Sequence, residues 1–439
     1  GSNGRNATSP PGALKTNGSV WWLAAGGGMT CAMSGSSVPG VVTCWGALSG
    51  TKATAAFEVA CADWGCIASN ASSVMIVAVG GVPTPQLAGF NVATRNVTTL
   101  AGNGAIGTTD GVGTAARFNQ PRGVSLDGAG GLYVADSGSH VIRRVDIATR
   151  NVTTVAGTAS SLGREVGATP LQSKFYQPYG VEADGAGNVY VADTFNHAIR
   201  MLSGAWVAGS MTGASGSANS VFGTSATFSY PYAVRADVTG GLLYAADAYN
   251  FKVRNITTAS TNATATLTTL SPNVNDIALD PAARIMYVAV QHSVYVVTYA
   301  GAPTLLAGVA TSNGNTDSTG SAARFYTVTG VALDASAGVL YAADNNNHRI
   351  RRITTAGGVV TTFAGSGATA LTNGIGTAAT FYNPWGLALD AASGTLYIGD
   401  QYNHAIRQVL LPLAAPAILA AAPTPPAPTS NHQLMAWRA

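Results

Sequence analysis

The sequence predicts an all-β fold, a six-bladed β-propeller of four-stranded antiparallel blades, closed by an N-terminal strand at residues 95–102 and preceded by a small disulfide-bonded β segment. Three observations predict it. A unit of about 55 residues recurs six times. Each copy holds four short segments of period-two alternation separated by Gly, Asp and Asn, the pattern of half-buried strands and turns. The sixth copy lacks a fourth strand after Val409, while a spare one, Asn96-Val-Thr-Thr-Leu-Ala-Gly102, precedes the first copy.

The copies are legible residue by residue. The first runs Phe118-Asn-Gln-Pro-Arg-Gly-Val-Ser-Leu-Asp127, Leu132-Tyr-Val-Ala-Asp136, His140-Val-Ile-Arg-Arg-Val145 and Asn151-Val-Thr-Thr-Val-Ala-Gly157. The second repeats this from Phe175 to Arg200 and the third from Phe228 to Arg254. The fourth is degenerate, with Asp276-Ile-Ala-Leu-Asp280 and Met286-Tyr-Val-Ala289. The fifth and sixth carry Asp344 with His348 and Asp400 with His404. Four antiparallel strands repeated radially make propeller blades. Asp-Gly pieces after the first strand suit tight hairpins, and the aspartate ending the second strand is expected to accept hydrogen bonds from the turn that follows. The outer strand lent by residues 95–102 would remove an exposed sheet edge.

The Gly-Val-x-x-Asp, Tyr-Val-Ala-Asp and Asn-His-x-Ile-Arg elements resemble NHL repeats, which form six-bladed propellers. The resemblance covers about residues 95–410 and implies a fold, not an activity, since one fold hosts many functions. The chain divides into an N-terminal extension (1–19), a cysteine-containing segment (20–90), the propeller (91–410) and an Ala/Pro-rich tail (411–439).

Residues 20–80 differ from the repeat. Trp22-Leu-Ala-Ala-Gly-Gly-Gly-Met-Thr-Cys31 followed by Val42-Thr-Cys44-Trp45-Gly46 is similar to an RCC1-type repeat, with a weaker echo from Phe57 to Cys66. In a hairpin with its tip near Ser37, Cys31 and Cys44 face each other, so a Cys31–Cys44 disulfide is expected. Cys61–Cys66 would then close a tight loop, although four cysteines allow three pairings. One or two such repeats cannot close a propeller, so the segment should pack on the ring or on a neighbour.

Charged residues make up 9% of the chain and the formal net charge is +3, against roughly 25% charged in ordinary soluble domains. No basic cluster exists, which excludes a nucleic-acid interface built on a Lys/Arg stripe. The most apolar run, Val409 to Pro423, is too short and too broken by proline to span a membrane. Seven Asn-x-Ser/Thr sequons, at Asn6, Asn17, Asn70, Asn96, Asn151, Asn255 and Asn262, together with clustered cysteines favour a secretory, extracellular or cell-surface route. The tail segment Pro423-Thr424-Pro425-Pro426-Ala-Pro428-Thr429-Ser430 prefers polyproline II. It looks similar to the O-glycosylated tracts of secreted algal and plant glycoproteins.

Chemistry-bearing residues recur with the repeat. His140, His197, His348 and His404 share one position, and radial repetition could gather them around zinc. Peptidylglycine amidating lyases, similar by fold, use a histidine zinc site in the propeller channel. The Asn-His turn consensus explains the recurrence more simply. Asp136, Asp193, Asp247, Asp344 and Asp400 could ring a cation but are expected to cap turns. Arg143, Arg200, Arg254, Arg351 and Arg407 are expected to cover blade surfaces with their long stems. Phe118, Phe175, Phe228, Phe325 and Phe381 should be inter-blade core. No nucleophile elbow, His-Glu-x-x-His or phosphate loop occurs.

The expectation is therefore a non-enzymatic extracellular glycoprotein without a cofactor. It would self-associate into a filament or matrix, with Val409–Pro423 docking on the next protomer. The alternative is a monomeric propeller that binds a protein or glycan. A propeller lyase or hydrolase is the third reading.

Overall fold

In the computed structural model of the chain, the described residues are 95–258 and 260–411, together with the backbone of seven strands between residues 20 and 78. Residues 93–412 form one compact unit, and residues 1–92 with 413–439 form another.

The larger unit is the six-bladed propeller. Each copy folds into its own antiparallel sheet of four or five strands. In the first blade the order from the axis outward is Pro121–Leu126, Gly131–Asp136, Val141–Asp146 and Asn151–Ala156. The innermost strands pack side by side around the ring, and Pro121–Leu126 lies between Pro384–Asp390 and Gly180–Ala183. The hairpins use the expected chemistry. Asp127 Oδ1 accepts the Ala129 and Gly131 N–H groups at 2.7 Å each, and Gly128 takes the left-handed φ of 71° that glycine adopts without steric cost.

The strand Asn96–Ala101 pairs with Ala405–Leu410 as the outer strand of the sixth blade, with Val97 opposite Val409. The ring closes as the spare repeat element predicts. Three blades gain a two-residue fifth strand at Gly111–Val112, Ser318–Thr319 and Gly374–Ile375, which the sequence reading did not anticipate.

The core lies between blades rather than at the axis. Phe118, fully buried, packs with Leu100 and with Tyr397 and Ile406 of the sixth blade. Phe228 packs with Tyr190 and Ile199 of the second blade. Phe175, Phe325 and Phe381 are likewise fully buried. Each such ring contributes roughly 1.5–3 kcal/mol by leaving water.

Glycine is forced where inner strands meet. A Cβ on Gly180 would sit 2.7 Å from the Tyr232 carbonyl oxygen, and one on Gly123 would sit 2.5 Å from that of Tyr179. The third and fourth copies carry Ala233 and Asp276 at this position. The fourth copy's departure from the repeat thus puts a carboxylate beside the axis.

The N-terminal strands form a separate sheet. Its backbone register sets Cys31 opposite Cys44 and Cys61 opposite Cys66. The side chains of these cysteines and of Asn70 lie outside the described residues, as do Asn6, Asn17 and the tail from residue 412, including Pro423, Thr424, Pro425, Pro426, Pro428, Thr429 and Ser430. Val409 and Leu411, which open the stretch expected to dock on a neighbour, are buried in the propeller's own core beside Val97 and Phe381. Any docking segment therefore begins beyond Leu411. Among the described sequons Asn151 is exposed, while Asn96, Asn255 and Asn262 are half-buried.

Candidate functional site

The recurring arginines do not cover blade surfaces. All five are fully buried. Arg143 Nη1 donates to Asp136 Oδ2 at 3.2 Å, and the same pair recurs as Arg200–Asp193 at 2.8 Å, Arg254–Asp247 at 2.9 Å, Arg351–Asp344 at 2.6 Å and Arg407–Asp400 at 3.0 Å. Each guanidinium also lies over the phenylalanine that opens its copy, as Arg200 does over Phe175 at 4.9 Å to the ring centre. A second nitrogen donates to the loop beyond, as Arg351 does to Asp317 at 2.5 Å. The stem expected to lie on a surface instead crosses the blade and sets its guanidinium against the buried carboxylate, as Arg200 does at Asp193.

In four blades the aspartate accepts from an asparagine side chain in the turn after the strand, as Asn196 Nδ2 donates to Asp193 Oδ2 at 2.8 Å, rather than capping that turn's backbone as expected. The aspartates also accept from the loop before the first strand, as the Tyr176 N–H does to Asp193 Oδ1 at 2.8 Å. Burial pushes the Asp136 carboxyl up to about 7 and that of Asp400 to about 6, with the paired arginines pulling both back. Every one of these carboxylates faces an arginine rather than a shared central space.

The histidines sit at blade junctions. His140 Nδ1 accepts the Gln177 N–H of the next blade at 3.1 Å, His197 that of Tyr230 at 3.1 Å, His348 that of Asn383 at 3.2 Å and His404 that of Gln120 at 3.1 Å. His292 does the same for Thr327 at 3.0 Å, although the fourth copy lost the Asn-His motif that would have marked it. An accepting Nδ1 requires the neutral ring protonated at Nε2, and partial burial lowers all five values. No group of three or more metal-ligating side chains forms among the described residues.

The repeat's variable positions, unlike its consensus, converge on the axis. The residue after each Gly-Val is Ser125, Glu182, Arg235, Ala278, Ala332 or Ala388. Arg235 Nη2 donates to Asp276 Oδ1 at 2.7 Å, and Nη1 lies 3.6 Å from Glu182 Oε2. Asp276 also accepts the Ile277 and Val331 N–H groups, and Glu182 accepts from Ser125 at 3.3 Å. Burial lowers the Arg235 guanidinium, but Asp276 and Glu182 outweigh it and hold it above its ordinary value. This network ties five blades together across the channel. Below it opens a cavity of about 370 Å³ edged by Leu126, Leu279, Leu333 and Leu389. Its polar groups are engaged with one another.

The other mouth differs. The residue before each inner-strand Gly is Arg122, Tyr179, Tyr232, Asn275, Thr329 or Trp385, and these side chains ring the axis where the chain enters each blade. Tyr179, Tyr232 and Trp385 contact one another with ring centres 5.0, 5.4 and 5.9 Å apart. The network extends through Phe195, Tyr176, Tyr230 and Tyr249. Tyr249 is 52% exposed, and Trp385 and Tyr232 are partly exposed. The Arg122 guanidinium stacks 3.4 Å from the centre of the Tyr179 ring and 4.4 Å from that of Trp385. The signal was present in Gln-Pro-Arg-Gly, Gln-Pro-Tyr-Gly, Tyr-Pro-Tyr-Ala and Asn-Pro-Trp-Gly. It went unread because each copy varies where the ring is built.

A family model described as NHL repeat matches residues 118–144, 325–353 and 381–409. The chain is similar to NHL repeat-containing protein 2 of Homo sapiens, at 24% identity over 326 residues, covering 69% of this chain and 40% of that protein. The chain thus spans less than half the length of this relative. Among solved structures, a protein of unknown function from Bacteroides thetaiotaomicron superposes with a TM-score of 0.57 at 18% identity, over 84% of this chain and 94% of that one. An auxiliary nutrient binding protein from the same organism superposes with a TM-score of 0.56 at 18% identity, over 84% and 93%. The chain carries NHL repeats, and its propeller fold is shared with these structures.

Proposed function

We propose that the propeller is a non-catalytic binding module whose aromatic mouth holds a saccharide. The observation that carries this is the network of Tyr176, Tyr179, Phe195, Tyr230, Tyr232, Tyr249 and Trp385 at one end of the axis. Contiguous, partly exposed aromatic surface on a rigid scaffold marks a recognition site. Tyrosine and tryptophan combine a flat apolar face with a hydrogen-bonding edge. A pyranose has the same two-sided character, C–H groups on its faces and hydroxyls at its rim. The solved propeller described as an auxiliary nutrient binding protein fits a binding role. The test is a saccharide array probed with the intact chain and with Trp385→Ala. Binding that falls at least tenfold in the variant supports the reading; binding unaffected by the loss of Trp385 sinks it.

The extracellular structural glycoprotein remains a second proposal, favoured by the sparse charge and by the accessible Asn151 sequon. Mass spectrometry of protein from its native source, before and after glycan removal, together with light scattering, tests it. An unglycosylated, monodisperse monomer contradicts it.

A further inference from the structure

Arg122 is unlike every other buried arginine of the propeller. It is 8% exposed, yet its Nε and Nη1 atoms are buried with no hydrogen-bond partner. No described acidic side chain pairs with it, whereas the five repeat arginines each have an aspartate within 3.2 Å. What surrounds it is aromatic. Tyr179 and Trp385 stack on the guanidinium, and Tyr232 lies against both rings.

Burial draws its pKa down to about 10, with Tyr232 and Tyr402 opposing. Withdrawing a guanidinium from water without a counter-charge is costly, and ring faces offset only part of it. Such a group gains most from an anion arriving with a ligand. The sequence position supports this. Arg122 occupies the place that three copies fill with Tyr179, Tyr232 and Trp385 and two with Asn275 and Thr329, so it is the single cation at that position, and its stacking neighbours are aromatic.

We propose that Arg122 anchors a carboxylate and that the saccharide bound at this mouth is acidic, of the uronate class. The inference rests on the binding reading above and adds the ligand's charge to it. A carboxylate matches the guanidinium's planar fork, which can donate two parallel hydrogen bonds. Trp385, stacked on the guanidinium and partly exposed, borders these nitrogens. Binding of the acidic ligand therefore changes the environment of Trp385.

The experiment compares trigalacturonate with neutral galactotriose and with a triglutamate peptide, by calorimetry and by tryptophan fluorescence. The intact chain, Arg122→Gln and Arg122→Lys are all measured. A charge-assisted bond predicts that trigalacturonate binds about tenfold or more tightly than galactotriose. It predicts that Arg122→Gln brings the two within about twofold, that Arg122→Lys retains part of the preference, and that the fluorescence change upon trigalacturonate binding is lost in Trp385→Phe. Equal affinity for the acidic and neutral sugars in the intact chain overturns the inference while leaving the saccharide reading standing. A preference that survives in Arg122→Gln does the same. Tighter binding of triglutamate than of trigalacturonate overturns it in favour of an acidic protein partner. Binding of no saccharide at all overturns both readings.

Discussion

His404 Nδ1 accepts the backbone N–H of Gln120 at 3.1 Å across 284 positions of sequence. This bond fastens the last blade to the first, and four other junctions repeat it. Protonating the imidazole would set one N–H donor against another.

The sign of the resulting pH dependence follows. The histidines titrate below their ordinary 6.5 in the folded chain. Their contribution is therefore fully present above about 6.5 and lost as pH falls through the lowered values. Asp136 and Asp400, raised to about 7 and 6 by burial, act oppositely: their contribution is present below 3.8 and lost as pH rises through those values. Comparison with His404→Gln isolates the histidine, because the aspartates are common to both chains. Urea denaturation from pH 8 to 5 should show the intact chain losing stability relative to the variant, by roughly 1–3 kcal/mol per junction. Parallel curves at all pH values would show that this bond carries no titratable stability.

The buried pair makes a second prediction. Arg351→Ala leaves Asp344 buried and unpaired, which costs about 3–5 kcal/mol. In the fourth copy the three partners are absent together. Ser271, Val290 and Tyr295 stand where the fifth copy has Phe325, Asp344 and Arg351. The combined change Asp344→Val with Arg351→Tyr, which keeps Phe325, should cost less than the sum of the two single changes, because it leaves neither buried charge without its partner. Equilibrium unfolding of these variants decides; a loss under 1 kcal/mol for Arg351→Ala refutes the coupling.

At the inner strands, Gly180→Ala places a methyl against the Tyr232 carbonyl and should cost about 1–3 kcal/mol by overpacking. Ala233→Gly removes a methyl the ring already accommodates and should cost roughly 0.5–1 kcal/mol. Thermal unfolding of the two variants gives the order, and equal losses would contradict the close approach.

Removing residues 1–102 deletes the outer strand of the sixth blade. The buried Val97 and Leu100 side chains leave with it, uncovering the core they pack on, and Ala405–Leu410 becomes an open edge. Each lost apolar side chain accounts for roughly 1.5–3 kcal/mol, and exposed edges pair with other chains. Calorimetry should show a lower and broader transition, and light scattering should show association. Removing residues 1–92 alone should leave the transition unchanged if the strand is what matters.

The blades were legible because the repeat fixes strand, turn and core positions six times over, so one ambiguous copy cannot mislead. Even closure was readable from a surplus Asn-Val-Thr-Thr segment. The arginines were misread because a stem long enough to shield a surface is also long enough to cross a blade, and sequence alone does not say which side the aspartate faces. The site was missed for a different reason. Arg122, Tyr179, Tyr232 and Trp385 lie 53 to 153 positions apart in consecutive comparison and share no consensus. Only ring closure brings them around one axis.

The most direct test is a crystal structure of the chain soaked with trigalacturonate. Saccharide density stacked on Tyr179, Tyr232 or Trp385, with a carboxylate within hydrogen-bond distance of Arg122, is the predicted result. Density confined to the leucine-edged cavity at the opposite mouth, with the aromatic mouth unaltered, would contradict the account.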